Sequence, residues 1–259
     1  MLALSEILNY YPESLRPFQR FIIREYLQFK ILQIVFDHPT YASRFCFLGG
    51  TCLRIIHNNS RFSEDLDFDN FNLTEDDFTK LSTIITKGLE YEGYKVEIKN
   101  VIKGAYHCHI RFPELLYKEG LIGHKEEKIL IQLDTEAQHF DFEPEKFILN
   151  KFDVFTEVLT TPIDILLSQK FYTILNRPRP KGRDFFDTVF LLSKTSPNYD
   201  YLSLKVGIEN SKTLKQAILE KCSQIEMKEM AQDVAPFLFE TKNAKQVTLF
   251  EAFIRQHEL

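Results

Sequence analysis

From Arg16 to Asp37 apolar side chains recur at Phe18, Phe21, Ile22, Tyr26, Phe29, Ile31, Leu32 and Val35, the spacing of one buried helix face. His38-Pro39 closes that helix. "RFCFLGG" then predicts a short strand running into a glycine turn. Thr51 to His57 reads as a short helix, and the alternation of "DLDFD" as a strand. "LTEDDFTKLSTIITKGLEYEGY" is the clearest amphipathic helix, with Thr74 as N-cap, Asp77 three residues on and Gly93 near its far end. Strands are predicted over Lys95 to Ile102, Ala105 to Phe112 and Lys128 to Glu136, with Gly104 in the turn between the first two.

After about Val154 the period changes. "TPIDILLSQKFYTILN", "RDFFDTVFLLSK", "SKTLKQAILEKCSQI" and "TLFEAFIRQHEL" all carry helical spacing. The expected organisation is therefore a mixed α/β domain over residues 1–154, with its N-terminal helix, and a helical domain over residues 155–259.

Composition narrows the function classes. The chain has 259 residues, 44% hydrophobic and 27% charged, as in a soluble globular protein with a real core. Its 24 Phe and absent Trp predict a phenylalanine-rich core. A net charge of -5 excludes a surface that is basic throughout, so nucleic acid would have to meet a local patch. The four cysteines, Cys46, Cys52, Cys108 and Cys222, form no CxxC pair and read as buried reduced thiols of a cytoplasmic protein. Neither a signal peptide nor an apolar run of about 20 residues is visible.

The chemistry concentrates in "FLGGTCLRIIHNNSRFSEDLDFDNF". On a strand, residues i and i+2 share a face, so Asp65 and Asp67 project together while Leu66 and Phe68 point to a core. Two carboxylates on one face repel unless a cation lies between them. Mg²⁺ takes such oxygen ligands together with substrate phosphates. Upstream, Gly49 and Gly50 let the backbone turn, and Thr51 opens a helix whose free N–H groups favour phosphate and whose hydroxyl adds a donor. Taken singly, DxD is a common solvated strand end and GG a common turn; in this order they form a cradle for a metal–triphosphate.

This string resembles the signature of the AbiEii/AbiGii nucleotidyltransferase toxin family, through Gly49, Gly50, Thr51, Leu53, Arg61, Ser63, Asp65, Leu66, Asp67 and Phe68; Cys52 stands where the family has a small Ala. A second block, "DILLSQKFYTILNRPRPKGRDFFDTVFLL", supplies the family's helix lysine as Lys170 and its RDxxD as Arg183, Asp184 and Asp187. The resemblance implies a DNA polymerase β-like nucleotidyltransferase core in an α+β fold, followed by a helical C-terminal region. It also implies the biology of type IV toxin–antitoxin and phage-abortive systems. Asp65 and Asp67, with Asp134 as the third acid on a neighbouring strand, would hold two Mg²⁺ ions. Gly49, Gly50, Thr51 and Ser63 would contact phosphates, and Lys170 with Arg61 would meet the charge of the leaving group. Arg183, Asp184 and Asp187 would contact substrate or position Lys170.

The residues themselves leave alternatives open. Lys170 lies in the apolar stripe of Ile163, Leu166, Leu167, Phe171 and Ile174, where it either snorkels to water or reaches a phosphate or an acid. Asp184 could cap its helix while Arg183 and Asp187 pair at the surface. Asp134 could be a turn residue at a strand end. "HCH", His107 to His109, puts two imidazoles on one strand face without further metal-ligand spacing, and reads as strand surface. Walker A and GxSxG sequences are absent.

The function expected is Mg²⁺-dependent transfer of a nucleotide from an NTP to an acceptor. The resemblance implies RNA, such as a tRNA 3′ end, and a cognate antitoxin as partner; a monomer is the expected state. The loop "NRPRPKGR", with Arg177, Arg179, Lys181 and Arg183, is the basic patch that could meet an RNA backbone. Two rivals are a catalytically inactive binding module of the same fold and a DxD glycosyltransferase. The complete motif set argues against the first, and the single strand and helix ahead of the motif against the second.

Overall fold

The computed structural model describes residues 2–259, in which the chain groups into two compact units. One comprises the residues up to His57, Phe62–His139 and Pro144–Thr160; the other comprises Asn58–Arg61, Phe140–Glu143 and Thr161–Leu259. The expected single boundary at 154–155 thus gives way to a division at Thr160, where the last strand ends, and to two short segments that belong to the second unit.

The first unit is built on a mixed sheet of seven strands: β1 (Phe45–Leu48), β2 (Leu66–Asn70), β3 (Glu97–Lys103), β4 (Ala105–Phe112), β5 (Ile129–Thr135), β6 (Glu145–Lys151) and β7 (Val154–Thr160). Their order is β3-β4-β5-β2-β1-β7-β6. β2 runs parallel to β5 and β1 parallel to β7, and the remaining pairs are antiparallel. Five helices accompany it: α1 (Leu4–Leu8), α2 (Gln19–Phe36), α3 (Gly49–Ile55), α4 (Glu75–Tyr91) and α5 (Leu115–Lys118). Thr74 caps α4 as its sequence predicts, accepting from the Asp77 amide at 3.2 Å in a capping box. α2 packs on β7 and α4, and α4 on β3 and β4. Phe45, Phe47, Phe62, Phe68, Phe78 and Phe112 are buried in this unit.

β6 and β7 occupy a stretch whose sequence gives no clear hairpin. Their turn holds Phe152 at φ 60°, with no glycine or asparagine to mark it. A left-handed non-glycine residue costs roughly 1–2 kcal/mol. The Phe152 ring offsets this cost by packing against Tyr10, Tyr26 and Phe29, with centroids 4.9, 5.1 and 5.2 Å away.

The second unit is helical: α6 (Ile163–Asn176), α7 (Gly182–Leu192), α8 (Tyr199–Val206), α9 (Ser211–Cys222), α10 (Met227–Val234), α11 (Lys245–Thr248) and α12 (Phe250–Gln256). α6 packs on α7, α8 and α9, α7 on α10 and α11, and α9 on α12. Gly182 allows the closest approach, since a Cβ there would strike the Met230 carbonyl of α10. The Asn58–Arg61 segment is stitched to this unit by backbone: Arg61 bridges Leu238, and Ser60 accepts from the Phe239 amide at 3.2 Å. The four cysteines are buried free thiols. Among the described residues no helix is long and apolar enough to cross a membrane.

Candidate active site

In the sheet unit, the glycine turn and the acidic strand lock into one another. Gly49 has φ 77°, the left-handed region that glycine enters without strain. Its missing side chain matters as much: a Cβ on Gly49 would collide with the Asp67 carboxylate. Leu48 and Asp67 are cross-strand partners in the β1–β2 pair, which sets this approach. Thr51 is fully buried and its hydroxyl donates to the Asp65 carbonyl. That hydroxyl therefore ties α3 to the start of the acidic strand and is not aimed at solvent.

α3 is also gripped from behind. Glu25 of α2, 3% exposed, accepts from Arg54 of α3 at 2.8 and 3.3 Å, from Lys151 at 2.8 Å and from the Tyr11 hydroxyl at 2.7 Å. Burial pushes the Glu25 carboxyl up, but Arg54 and then Lys151 outweigh it and hold it below the ordinary value. Ser63 lies beside α2, its carbonyl accepting from Gln28 Nε2 at 3.1 Å.

The third carboxylate falls beside Asp67 by strand register, while Asp65 lies one residue ahead of the strand. β2 and β5 pair with Asp67 opposite Asp134, and β5 and β4 with Asp134 opposite His107. His107 Nδ1 lies 2.7 Å from Asp134 Oδ1, and Gln132 donates to both Asp134 oxygens at 2.9 and 2.8 Å. Asp134 is thus a strand residue facing the Asp67 side, not a turn residue. The remaining acid of the string, Asp69, is buried and accepts from the Gln138 amide at 2.8 Å, which gives it a structural task.

Asp67 and Asp134 offer hard oxygen donors from paired strand positions, with Asp65 just ahead of β2, the donor chemistry Mg²⁺ prefers. Among the described residues, however, no group of three or more His, Cys, Asp and Glu side chains is arranged as a ready metal cluster. The donor type and the Asp67–Asp134 register fit a divalent cation.

The helical unit holds the second motif block. Asp187, fully buried, accepts from Arg61 Nε at 2.7 Å and Nη2 at 2.6 Å, and from Asn59 Nδ2 at 2.8 Å. Lys170 Nζ lies 2.9 Å from Asp187 and 3.2 Å from Asp184, and Arg177 Nη1 lies 2.5 Å from Asp184. Burial pushes the Asp187 carboxyl up; Arg61 and Lys170 overcome it, leaving a pKa of about 2. Asp184 sits inside the first turn of α7 with Lys181 at the N-cap, and Asp187 is interior, so neither the Asp184 cap nor the surface pair with Arg183 forms. Arg61, 1% exposed, has its guanidinium committed to Asp187, so the charge-neutralising role the family resemblance suggests for it is not what the helical unit shows.

His107, Gln132 and Asn59 were not legible as site residues, and Arg177, read as part of a basic loop, was not legible as the partner of Asp184. Asn59 and Arg61 are separated by one residue and could have signalled a shared acidic partner. His107 became meaningful only through the β4–β5 register.

This fold, a mixed sheet with a glycine turn and in-register carboxylates, has counterparts among solved structures. The Helicobacter pylori protein JHP933 matches with a TM-score of 0.54 at 17% identity, covering 91% of this chain and 92% of that one. A candidate nucleotidyltransferase from H. pylori matches with a TM-score of 0.55 at 16% identity, covering 91% and 94%. At these identities the likeness concerns the fold. No match is found among curated proteins. The sequence profile of the nucleotidyl transferase AbiEii toxins of type IV toxin–antitoxin systems matches residues 30–251. The chain belongs to that family and is a nucleotidyltransferase.

Proposed function

We propose that this chain transfers a nucleotide from an NTP, with Mg²⁺, to the 3′ end of an RNA such as a tRNA, and that a cognate antitoxin restrains it. The observation that carries this reading is the β2–β5 register, which sets Asp67 beside Asp134 on the strand that packs against the Gly49 turn. Family membership supports the toxin class.

Asp65, Asp67 and Asp134 would hold the metal, which when bound supplies positive charge for the phosphates and acidifies a bound hydroxyl. His107 and Gln132 orient the Asp134 carboxylate, as outer partners of metal-binding carboxylates do. Gly49 and Gly50 let phosphate approach the backbone without a side chain in the way. The acceptor oxygen attacks the α-phosphorus, the bond to the β-phosphate oxygen breaks, and pyrophosphate leaves while the hydroxyl proton passes to solvent. Lys170 would meet the leaving phosphates, as the family resemblance implies; Asp184 and Asp187 hold its ammonium within the helical unit.

Incubation with each labelled NTP, Mg²⁺ and total RNA, resolved on a gel, tests this. A labelled tRNA-sized band that vanishes in Asp67→Ala is expected. Label in protein alone, with none in RNA for any NTP, would overturn the RNA assignment.

A further inference from the structure

The sheet has two unlike faces at its β3 end. Cys108, Ile110 and Phe112 of β4 and Ile131 and Leu133 of β5 are buried on one side. The opposite side carries Asp67 and Asp134, and the same register continues it outward. Asp134 neighbours His107, His109 pairs with Lys99, and Arg111 and Lys103 lie on the same face by the two-residue period. Lys99 and Lys103 are exposed, and His109 and Arg111 are half-buried. Glu97 stands opposite Arg111 on this face and is paired with Lys128 at 2.7 Å; Lys95 pairs with Glu114, and Lys99 and Lys103 enter neither pair.

We infer that the acceptor RNA lies along this outer face of β3 and β4, with Lys99, Lys103 and Arg111 on its phosphates and His109 against a terminal base. This rests on the RNA-acceptor reading above and specifies its surface. Strands are spaced about 4.8 Å apart, so β4 lies roughly 10 Å and β3 roughly 14 Å from the Asp67 strand. A strand crossing them would bring its end to the carboxylates. Single-stranded RNA is held by this combination, cations along the backbone and flat rings under the bases. A chain of net charge -5 needs such a local cationic surface to hold a polyanion. The loop "NRPRPKGR" is a weaker candidate, because Arg177 is paired with Asp184 at 2.5 Å and Lys181 lies 3.9 Å from Asp233. Lysines on an edge strand also discourage sheet-to-sheet aggregation, a role that needs no ligand. The two roles separate experimentally.

The test uses the full chain and a fluorescent single-stranded RNA ending in a 3′-deoxynucleotide, with anisotropy read across a KCl series. The variant Lys99→Gln/Lys103→Gln/Arg111→Gln should weaken binding at least about tenfold at low salt. It should lower the slope of log K against log salt by about 2, near 0.7 per lost contact. His109→Ala should weaken binding without changing that slope. NTP affinity, measured without RNA, should hold in both. A triple variant that binds with the parental slope, while Arg177→Gln/Arg179→Gln/Lys181→Gln flattens it, overturns the inference in favour of the loop. An equal fall in NTP affinity overturns it as well, since the face would then serve the nucleotide. If the labelling gel shows RNA product but the triple variant binds normally, only this surface fails; if no RNA is labelled or bound, the acceptor reading fails with it.

Discussion

Arg61 and Asp187 form a two-point ion pair with both side chains at 1% exposure or less, 126 residues apart in the chain. The partner of the conspicuous basic residue ahead of the acidic strand is thus an acid of the distant RDxxD block. Truncating one side of a buried pair typically costs about 3–5 kcal/mol, because the other charge is left uncompensated. Asp187→Asn should lower unfolding stability by that order in urea titration. A loss under about 1 kcal/mol would contradict the pair's structural weight.

The same pair predicts an acid-side stability loss. The folded Asp187 pKa is about 2, below the roughly 3.9 of an unfolded aspartate. A depressed carboxyl stabilises the fold fully above the unfolded value and loses that contribution as pH falls from about 4 to about 2. Two units correspond to about 2–3 kcal/mol. Urea midpoints measured from pH 5 downward should fall, and Asp187→Asn should flatten the curve in this window.

Gly49→Ala is expected to be costly for two reasons, its φ of 77° and the collision with the Asp67 carboxylate. Together they should destabilise by about 1–3 kcal/mol and abolish nucleotide transfer. Adding Asp67→Gly should recover part of the stability by removing the collision, with activity still absent. Recovery of activity in that double variant would exclude Asp67 from the chemistry.

Asp65→Ala and Asp67→Ala should each lower transfer by on the order of a thousandfold or more, the scale of several kcal/mol of charge stabilisation. Far-UV circular dichroism should stay unchanged. A folded variant of either kind with near-normal turnover and unaltered Mg²⁺ dependence would exclude these acids as metal ligands.

Lys170→Met removes a cation shared by two buried acids, Asp184 at 3% and Asp187 at 0% exposure. A stability loss of about 1–3 kcal/mol is expected, together with loss of turnover. Its position in an apolar stripe suggests a harmless swap to Met; the buried acids reverse that expectation. Lys170→Met/Asp184→Asn should regain stability but not activity, which separates the two contributions.

The elements that sequence displayed well are those whose signal is local. The Thr74 cap, the α4 stripe, the β3–β4 pair and the "FCFLGG" strand-turn each carry their pattern within a few residues. β6 and β7 were missed because their hairpin turns on Phe152, whose left-handed backbone is stabilised by Tyr10, Tyr26 and Phe29 from elsewhere in the chain. The site followed the same rule. Gly49, which closely approaches the acidic strand, was legible as a glycine turn, whereas the strand starts at Leu66, one residue after Asp65, which the spacing places on it. The fates of Thr51, Arg61 and Asp187 were not legible, because each depends on a partner set by tertiary folding: the Asp65 carbonyl for Thr51, and each other for Arg61 and Asp187.

The four residues Asn58–Arg61 belong to the helical unit although they lie between the glycine turn and the acidic strand in the chain. The helical part is therefore no detachable cassette. A chain ending at Thr160 would keep the Arg61 guanidinium and lose its carboxylate, and grafting the helices of a relative would require Asn59 and Arg61 to travel with them. An exchange between relatives that moved the helices without Asn59 and Arg61 would separate Arg61 from Asp187.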